Sequence, residues 1–188
     1  AIEQAQVKVE GFNFDIRKHL LEYDDVLNKQ RLAFYTKRQE ILTAVTPYVE
    51  GEARKIKDPA KIREILSGAI NRHLDQITEA NISPEDRQKL LAEIGFAVSE
   101  DASPAKAKEW AENKITSLEL TFVEAVGRQL LVILDFLWMN NLEDIEALAE
   151  SVRIRAYGQK DPLVEYRRES RTLFNKMEVS FQEWIFNN

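Results

Sequence analysis

The chain contains no cysteine, two histidines and two methionines in 188 residues. Without cysteine there are no disulfides, no thiolate metal ligands and no thiol nucleophile, a composition compatible with a reducing compartment. His19 and His73 stand in different segments without ligand spacing, so no metal site is expected. No segment has the basic start, apolar core and small-residue cleavage site of a signal peptide. The longest apolar run, Leu130 to Leu134, is far too short to span a bilayer. The chain is therefore expected to be neither secreted by its own signal nor integral to a membrane. A formal net charge of −6 argues against a nucleic-acid partner, which requires a basic surface. No G-x-x-x-x-G-K-[ST] phosphate loop occurs, so the chain is not expected to bind or hydrolyse ATP alone. Asp24 and Asp25 are adjacent carboxylates, but helix neighbours point about 100° apart and cannot share a substrate atom. They read as a solvated face or a domain contact.

What is present is helix. From Ile2 to about Leu42 there is no proline and one glycine, Gly11, amid strong helix formers. Apolar residues recur at Val9, Ile16 and Tyr23 and at Leu20, Leu27, Phe34 and Ile41, two series stepping by seven and set four apart, which is a heptad seam. Such a helix would run roughly 60 Å, a spine along which other elements pack. Its end is expected near Pro47, where Thr43 and Thr46 weaken the helix before Gly51. The chain starts at Ala1 in mid-helix register, which reads as a piece of a larger protein.

Beyond the spine, Asp58-Pro59, Ser83-Pro84 and Ser103-Pro104 each place a capping side chain before a proline suited to the first helical position. The first helix should run from Pro59 to about Ala80, with Ile62, Ile65, Leu66, Ala69, Ile70, Leu74 and Ile77 on one face and Asn81 closing it. The second should span Pro84 to about Glu93, with Glu85 and Asp86 in its first turn and Gly95 at its end. From Pro104 a helical pattern passes through Trp110, Ile115, Leu118 and Phe122 and continues past Gly127. The region from Thr46 to Glu124 shows no β alternation, no repeat and no catalytic signature.

A second long amphipathic helix carries Leu131, Leu134, Trp138, Leu142, Ile145, Leu148 and Val152 in steps of three and four, a stripe suited to the spine's seam. The chain turns at Ala156 to Lys160, where Gly158 can take positive φ, and restarts at Asp161-Pro162 as cap and first residue. The result is an antiparallel helical hairpin with Tyr157 at its tip. Asp135 to Glu150 carries five acidic and no basic residues, whereas Ser151 to Arg171 carries six basic and three acidic ones, a local +3. Arg153 and Arg155 either answer the helix macrodipole or attract an anionic lipid surface or an acidic protein loop.

The stretch from Val7 to Arg31, V-K-V-E-G-F-N-F-D-I-R-K-H-L-L-E-Y-D-D-V-L-N-K-Q-R, resembles the long scaffold helix of the SecA family, the ATP-driven motors of bacterial preprotein translocation. These motors carry closely similar N-F-D-I-R-K, L-L-E-Y-D-D-V and Q-R at this spacing. A second similarity covers the hairpin: Leu134-Asp135, Leu137-Trp138, then Arg155-Ala156-Tyr157-Gly158-Gln159-Lys160-Asp161-Pro162, Glu165-Tyr166-Arg167-Arg168-Glu169 and Leu173-Phe174 resemble the family's two-helix finger. The chain departs from the family where a histidine usually precedes the leucine after the tryptophan, here Asn141. It departs again at the usual glycines, here Ser151, Arg153 and Ala156, with Gly158 one place after the tyrosine.

The resemblance implies a C-terminal fragment with an all-α fold: one very long scaffold helix over 1–45, a small helical wing over 46–126 and an antiparallel two-helix finger over 127–188 packed along the scaffold. Site expectations are a preprotein-contacting tip (Arg155, Ala156, Tyr157, Gly158, Gln159, Lys160), a scaffold seam (Ile16, Leu20, Tyr23, Leu27, Phe34) and finger-packing residues (Leu134, Trp138, Leu142, Ile145). Tyr157 is either the side chain that touches the moving preprotein or a loop aromatic packed on its own hairpin. The implied partners are the remaining SecA motor domains, the SecY channel, unfolded preprotein and an anionic lipid surface, with no nucleic acid. The implied location is cytoplasmic, peripheral to the inner face of the bacterial cell membrane. The fragment is expected to hold no cofactor, with ATP and Mg²⁺ belonging to the parent ATPase. The alternative is a free-standing helical adapter that binds partner helices through the heptad seam; no constellation supports an enzyme.

Overall fold

The computed structural model describes residues 2–50, 53–79, 83–93, 96, 104–155 and 161–187. The expected turn at Ala156–Lys160 and the residues Asn81, Gly95 and Ser103 lie outside the described residues. The fold is all-α in class, with six helices among the described residues: α1 (Ile2–Val45), α2 (Pro59–Glu79), α3 (Pro84–Glu93), α4 (Pro104–Ser117), α5 (Leu120–Arg155) and α6 (Pro162–Asn187).

Helix α1 runs unbroken for 44 residues, about 66 Å at 1.5 Å per residue. Its last carbonyls find partners at the point where the threonines weaken the helix. Leu42 O accepts from Thr46 N at 2.9 Å and from Thr46 Oγ1 at 2.6 Å, and Ala44 O accepts from Asp58 N at 3.1 Å. Three of the four caps read from the sequence are made. Asp58 Oδ1 accepts from Lys61 N at 2.9 Å and Ser83 Oγ accepts from Asp86 N at 3.1 Å. Asp161 Oδ1 likewise accepts from Leu163 N at 2.9 Å.

Two local expectations are corrected. Between α1 and α2, where no β alternation was expected, Pro47–Glu50 (β1) and Ala53–Ile56 (β2) pair antiparallel, with Pro47 opposite Ile56 and Glu50 opposite Ala53. Four-residue strands are too short for a period of two to show, and Tyr48 and Val49 are adjacent rather than alternating. The glycine-led pair Gly51-Glu52 between the runs was the usable hairpin signal. The second correction concerns the helix from Pro104, which stops at Ser117 rather than running on. The turn tightens there: Leu118 N donates to Ile115 O, Ser117 Oγ donates to Lys114 O, and Leu118 O accepts from Arg63 Nη2 at 2.9 Å. Helix α5 then starts at Leu120 and continues past Gly127.

The described residues form two compact units. One comprises residues 1–37 and 136–178, the other residues 38–135 and 179–188. In the second unit α2 buries Ile62, Leu66, Ala69, Leu74 and Ile77, five of the seven residues of the stripe expected of it, with Ile65 and Ile70 half-buried. Leu74, Leu91, Phe96, Ala107 and Ala111 form a core against which Ile70 and Trp110 pack, with Phe96 edge-on to Trp110. Gly127 permits a close approach, since a Cβ there would lie 2.7 Å from Val45 Cγ1 and 3.4 Å from Ile62. His73 packs its ring on Phe186 with centroids 3.8 Å apart. That packing removes water from the imidazole and lowers its pKa below the ordinary value, against a smaller opposing pull from Glu183.

Candidate functional site: a helical hairpin held on the long helix

In the first unit the hairpin of α5 and α6 is held against α1 by three aromatic contacts at two levels. Tyr23 meets Tyr166 with ring centroids 4.4 Å apart, Phe34 stacks on Trp138 at 4.5 Å with planes 12° apart, and Trp138 meets Phe174 edge-on at 6.5 Å. Tyr23 meets Tyr166 while Phe34 and Phe174 share Trp138, so α1 runs with α6; on α5 it is Ile145, Leu148 and Val152, later than Trp138, that join Tyr23 and Tyr166, so α5 runs opposite to both. Ile145, Leu148, Val152 and Tyr166 form the core of this arrangement, joined by Tyr23, Val26, Leu27, Ala149 and Leu173. Burying each large side chain contributes about 1.5 to 3 kcal/mol. Burial also raises the pKa of the Tyr166 hydroxyl, with Tyr23 and Asp24 adding to the effect.

Of the expected packing residues, Trp138, Leu142 and Ile145 lie in the first unit and Leu134 in the second. Leu134, Trp138 and Ile145 are buried and Leu142 is half-buried, because the innermost stripe of α5 is Leu130, Leu134, Trp138, Asn141, Ile145, Leu148 and Val152. Asn141 thus takes the core position next to Leu142. Of the seam, Phe34 is buried and Tyr23 and Leu27 are half-buried, whereas Leu20 is 50% exposed and Val9, in the seam's other series, 59%. Ile16 lies in α1 with its side chain outside the described residues. Of the tip, Arg155 ends α5, and Ala156, Tyr157, Gly158, Gln159 and Lys160 lie outside the described residues.

Two polar features of α1 and the hairpin were not read from the sequence. Arg38 pairs bidentately with Asp135, Nε to Oδ1 at 2.7 Å and Nη2 to Oδ2 at 3.0 Å, within the second unit. Asp135 belongs to the Leu134-Asp135 pair of the finger motif, but its partner lies 97 positions away and no local spacing marks it. Gln30 donates from Nε2 to Ser170 Oγ at 2.7 Å and to Ser170 O at 3.1 Å. A glutamine where the seam calls for an apolar residue was the available signal. Among the described residues no group of histidine, aspartate and glutamate gathers to hold a metal ion, and no helix is long and apolar enough to cross a membrane.

A continuous helix bearing an antiparallel hairpin, in a chain with a second small helical core of its own, defines a helical scaffold-and-wing module. A family model described as the SecA wing and scaffold domain matches residues 1–188. The chain belongs to that family. Proteins named protein translocase subunit SecA are similar over nearly the whole chain. That of Treponema pallidum is 35% identical, covering 94% of this chain and 20% of its own length. That of Halothermothrix orenii is 34% identical, covering 100% and 23%. That of Pelobacter propionicus is 36% identical, covering 98% and 22%. The chain therefore spans about a fifth of the length of the curated relatives it matches.

Proposed function

We propose that this chain is the scaffold, wing and finger portion of a motor that drives preproteins through the SecY channel, with the finger tip touching the translocating polypeptide. In this reading residues 1–45 are the spine, 46–126 the wing and 127–188 the finger. The observation that carries it is the aromatic docking of the hairpin on a single unbroken helix. A hairpin anchored at Phe34, Trp138 and Phe174 moves with its spine, so displacement of domains bound elsewhere on α1 reaches the tip. Tyr157 offers a broad, rigid, amphipathic surface at low entropy cost, suited to holding unrelated segments without reading their sequence. ATP and Mg²⁺ belong to domains beyond this chain, whose own residues supply leverage and contact rather than hydrolysis. The basic stretch from Ser151 to Arg171 would favour the channel's cytoplasmic loops or anionic lipid at the inner face of the bacterial membrane.

The exposed apolar side chains on the early turns of α1, including Val7, Val9, Phe12, Phe14 and Leu21, support a missing cover. The remaining motor domains would supply it, as the greater length of the relatives allows. The same exposure favours a second reading, a free-standing adapter binding partner helices. The two separate by the genomic reading frame: nucleotide-binding motifs in frame upstream support the motor, and a start codon at this boundary supports the adapter. The contact role is tested by Tyr157→Ala in the complete protein, which should leave melting unchanged and cut preprotein transport. Full transport by that variant removes the role.

A further inference from the structure

Gln30, Asn141 and Ser170 are the buried polar side chains of the described residues, at 8%, 3% and 0% exposure. They sit one on each helix of the first unit. Gln30 is one turn before Phe34 on α1, Asn141 one turn after Trp138 on α5 and Ser170 one turn before Phe174 on α6. Since Phe34 stacks on Trp138 and Trp138 meets Phe174, one step away from that aromatic layer brings all three polar residues to a common level. The Gln30 to Ser170 hydrogen bonds confirm two of the three placements.

The layer is incomplete. Gln30 Oε1, Asn141 Oδ1 and Asn141 Nδ2 are buried without a hydrogen-bond partner. Each such atom is destabilising if left so, because its lost hydration is not replaced. Two of the three are carbonyl oxygens, which carry no hydrogen and cannot satisfy one another. One water can donate a hydrogen to each, and buried polar sites of this kind hold water. An apolar residue at any of the three positions would have packed at lower cost, yet each helix places a polar group at this one level. A single polar layer in an otherwise apolar helical seam specifies register, because sliding by one turn would set an amide against leucine or phenylalanine.

We propose that Gln30, Asn141 and Ser170 form a hydrated register key. One internal water donates to Gln30 Oε1 and Asn141 Oδ1, and the layer fixes the axial position at which the hairpin docks on α1.

Two measurements on the full 188-residue chain test this. A high-resolution crystal structure should show a water within hydrogen-bond reach of both oxygens; a dry layer, or an Asn141 amide bonded directly to Gln30, overturns the proposal. The second uses Gln30→Leu with Asn141→Leu and nitroxide labels at Leu21→Cys and Met139→Cys, both exposed positions in a chain without native cysteine. The parent should give one inter-label distance. The double variant should melt no lower and show a second population displaced along the axis by about one turn, about 5.4 Å. A single unchanged distance, or a variant that unfolds, overturns the proposal, and the crystallographic arm needs no substitution.

Discussion

At the residue scale, two positions turn local geometry into measurable stability. A Cβ at Gly127 would strike Cγ1 of the β-branched Val45 at 2.7 Å and touch Ile62 at 3.4 Å, and the stiff valine can yield only by shifting. Overpacking of this kind costs about 1 to 3 kcal/mol, while alanine in mid-helix returns up to about 1 kcal/mol. Gly127→Ala should therefore lower stability by about 1 kcal/mol in urea unfolding, and a raised midpoint would show that the helices part freely there. His73, packed on Phe186, has its pKa lowered chiefly by loss of water, with Glu183 opposing. As pH falls the unfolded chain takes up this proton first, near pH 6.5, so the unfolded state gains relative to the folded one. The contribution is whole above that pH and declines as pH drops through it toward the folded value. Between about pH 7.5 and about pH 5.5 the wild type should lose more melting temperature than His73→Phe; equal losses would mean the imidazole is solvated in the folded state.

At the scale of elements, the helices are set by their ends as much as by their faces. Asp161 holds the first turn of α6 through Leu163 N, and its charge sits where the dipole favours an anion. Asp161→Ala should cost about 1 kcal/mol of stability, measured by thermal melting; no change would mean that the docked face alone sets where α6 starts. The α1 seam divides in use. From Tyr23 onward its residues meet the hairpin or lie in the second unit's core, whereas Val9 and Leu20 stay exposed. A heptad pattern states which face is apolar but not how much of its length is covered within one chain.

At the scale of the whole molecule, the described residues form two compact units, and the aromatic docking of the hairpin on α1 lies within the first. Trp138 is buried between Phe34 and Phe174. Its replacement by alanine should cost about 3 to 5 kcal/mol, read by urea unfolding. An unchanged midpoint would mean that the hairpin is free of the spine, and with it the leverage on which the proposed motor role rests.

The sequence by itself determined the helices, most of their limits and the family. Caps, prolines and periodic apolar faces act over a few residues, and the motifs from Val7 to Arg31 and from Leu134 to Phe174 are contiguous strings. The break at Ser117 and the hairpin at Pro47–Ile56 escaped because each rests on a run too short to carry a period. Tertiary structure alone decided that Asn141 rather than Leu142 faces inward, that Arg38 finds Asp135, and that three polar residues from three helices share one level. Those outcomes depend on which helix lies opposite which and at what height. That is settled by packing between residues about a hundred positions or more apart, beyond the reach of any local pattern.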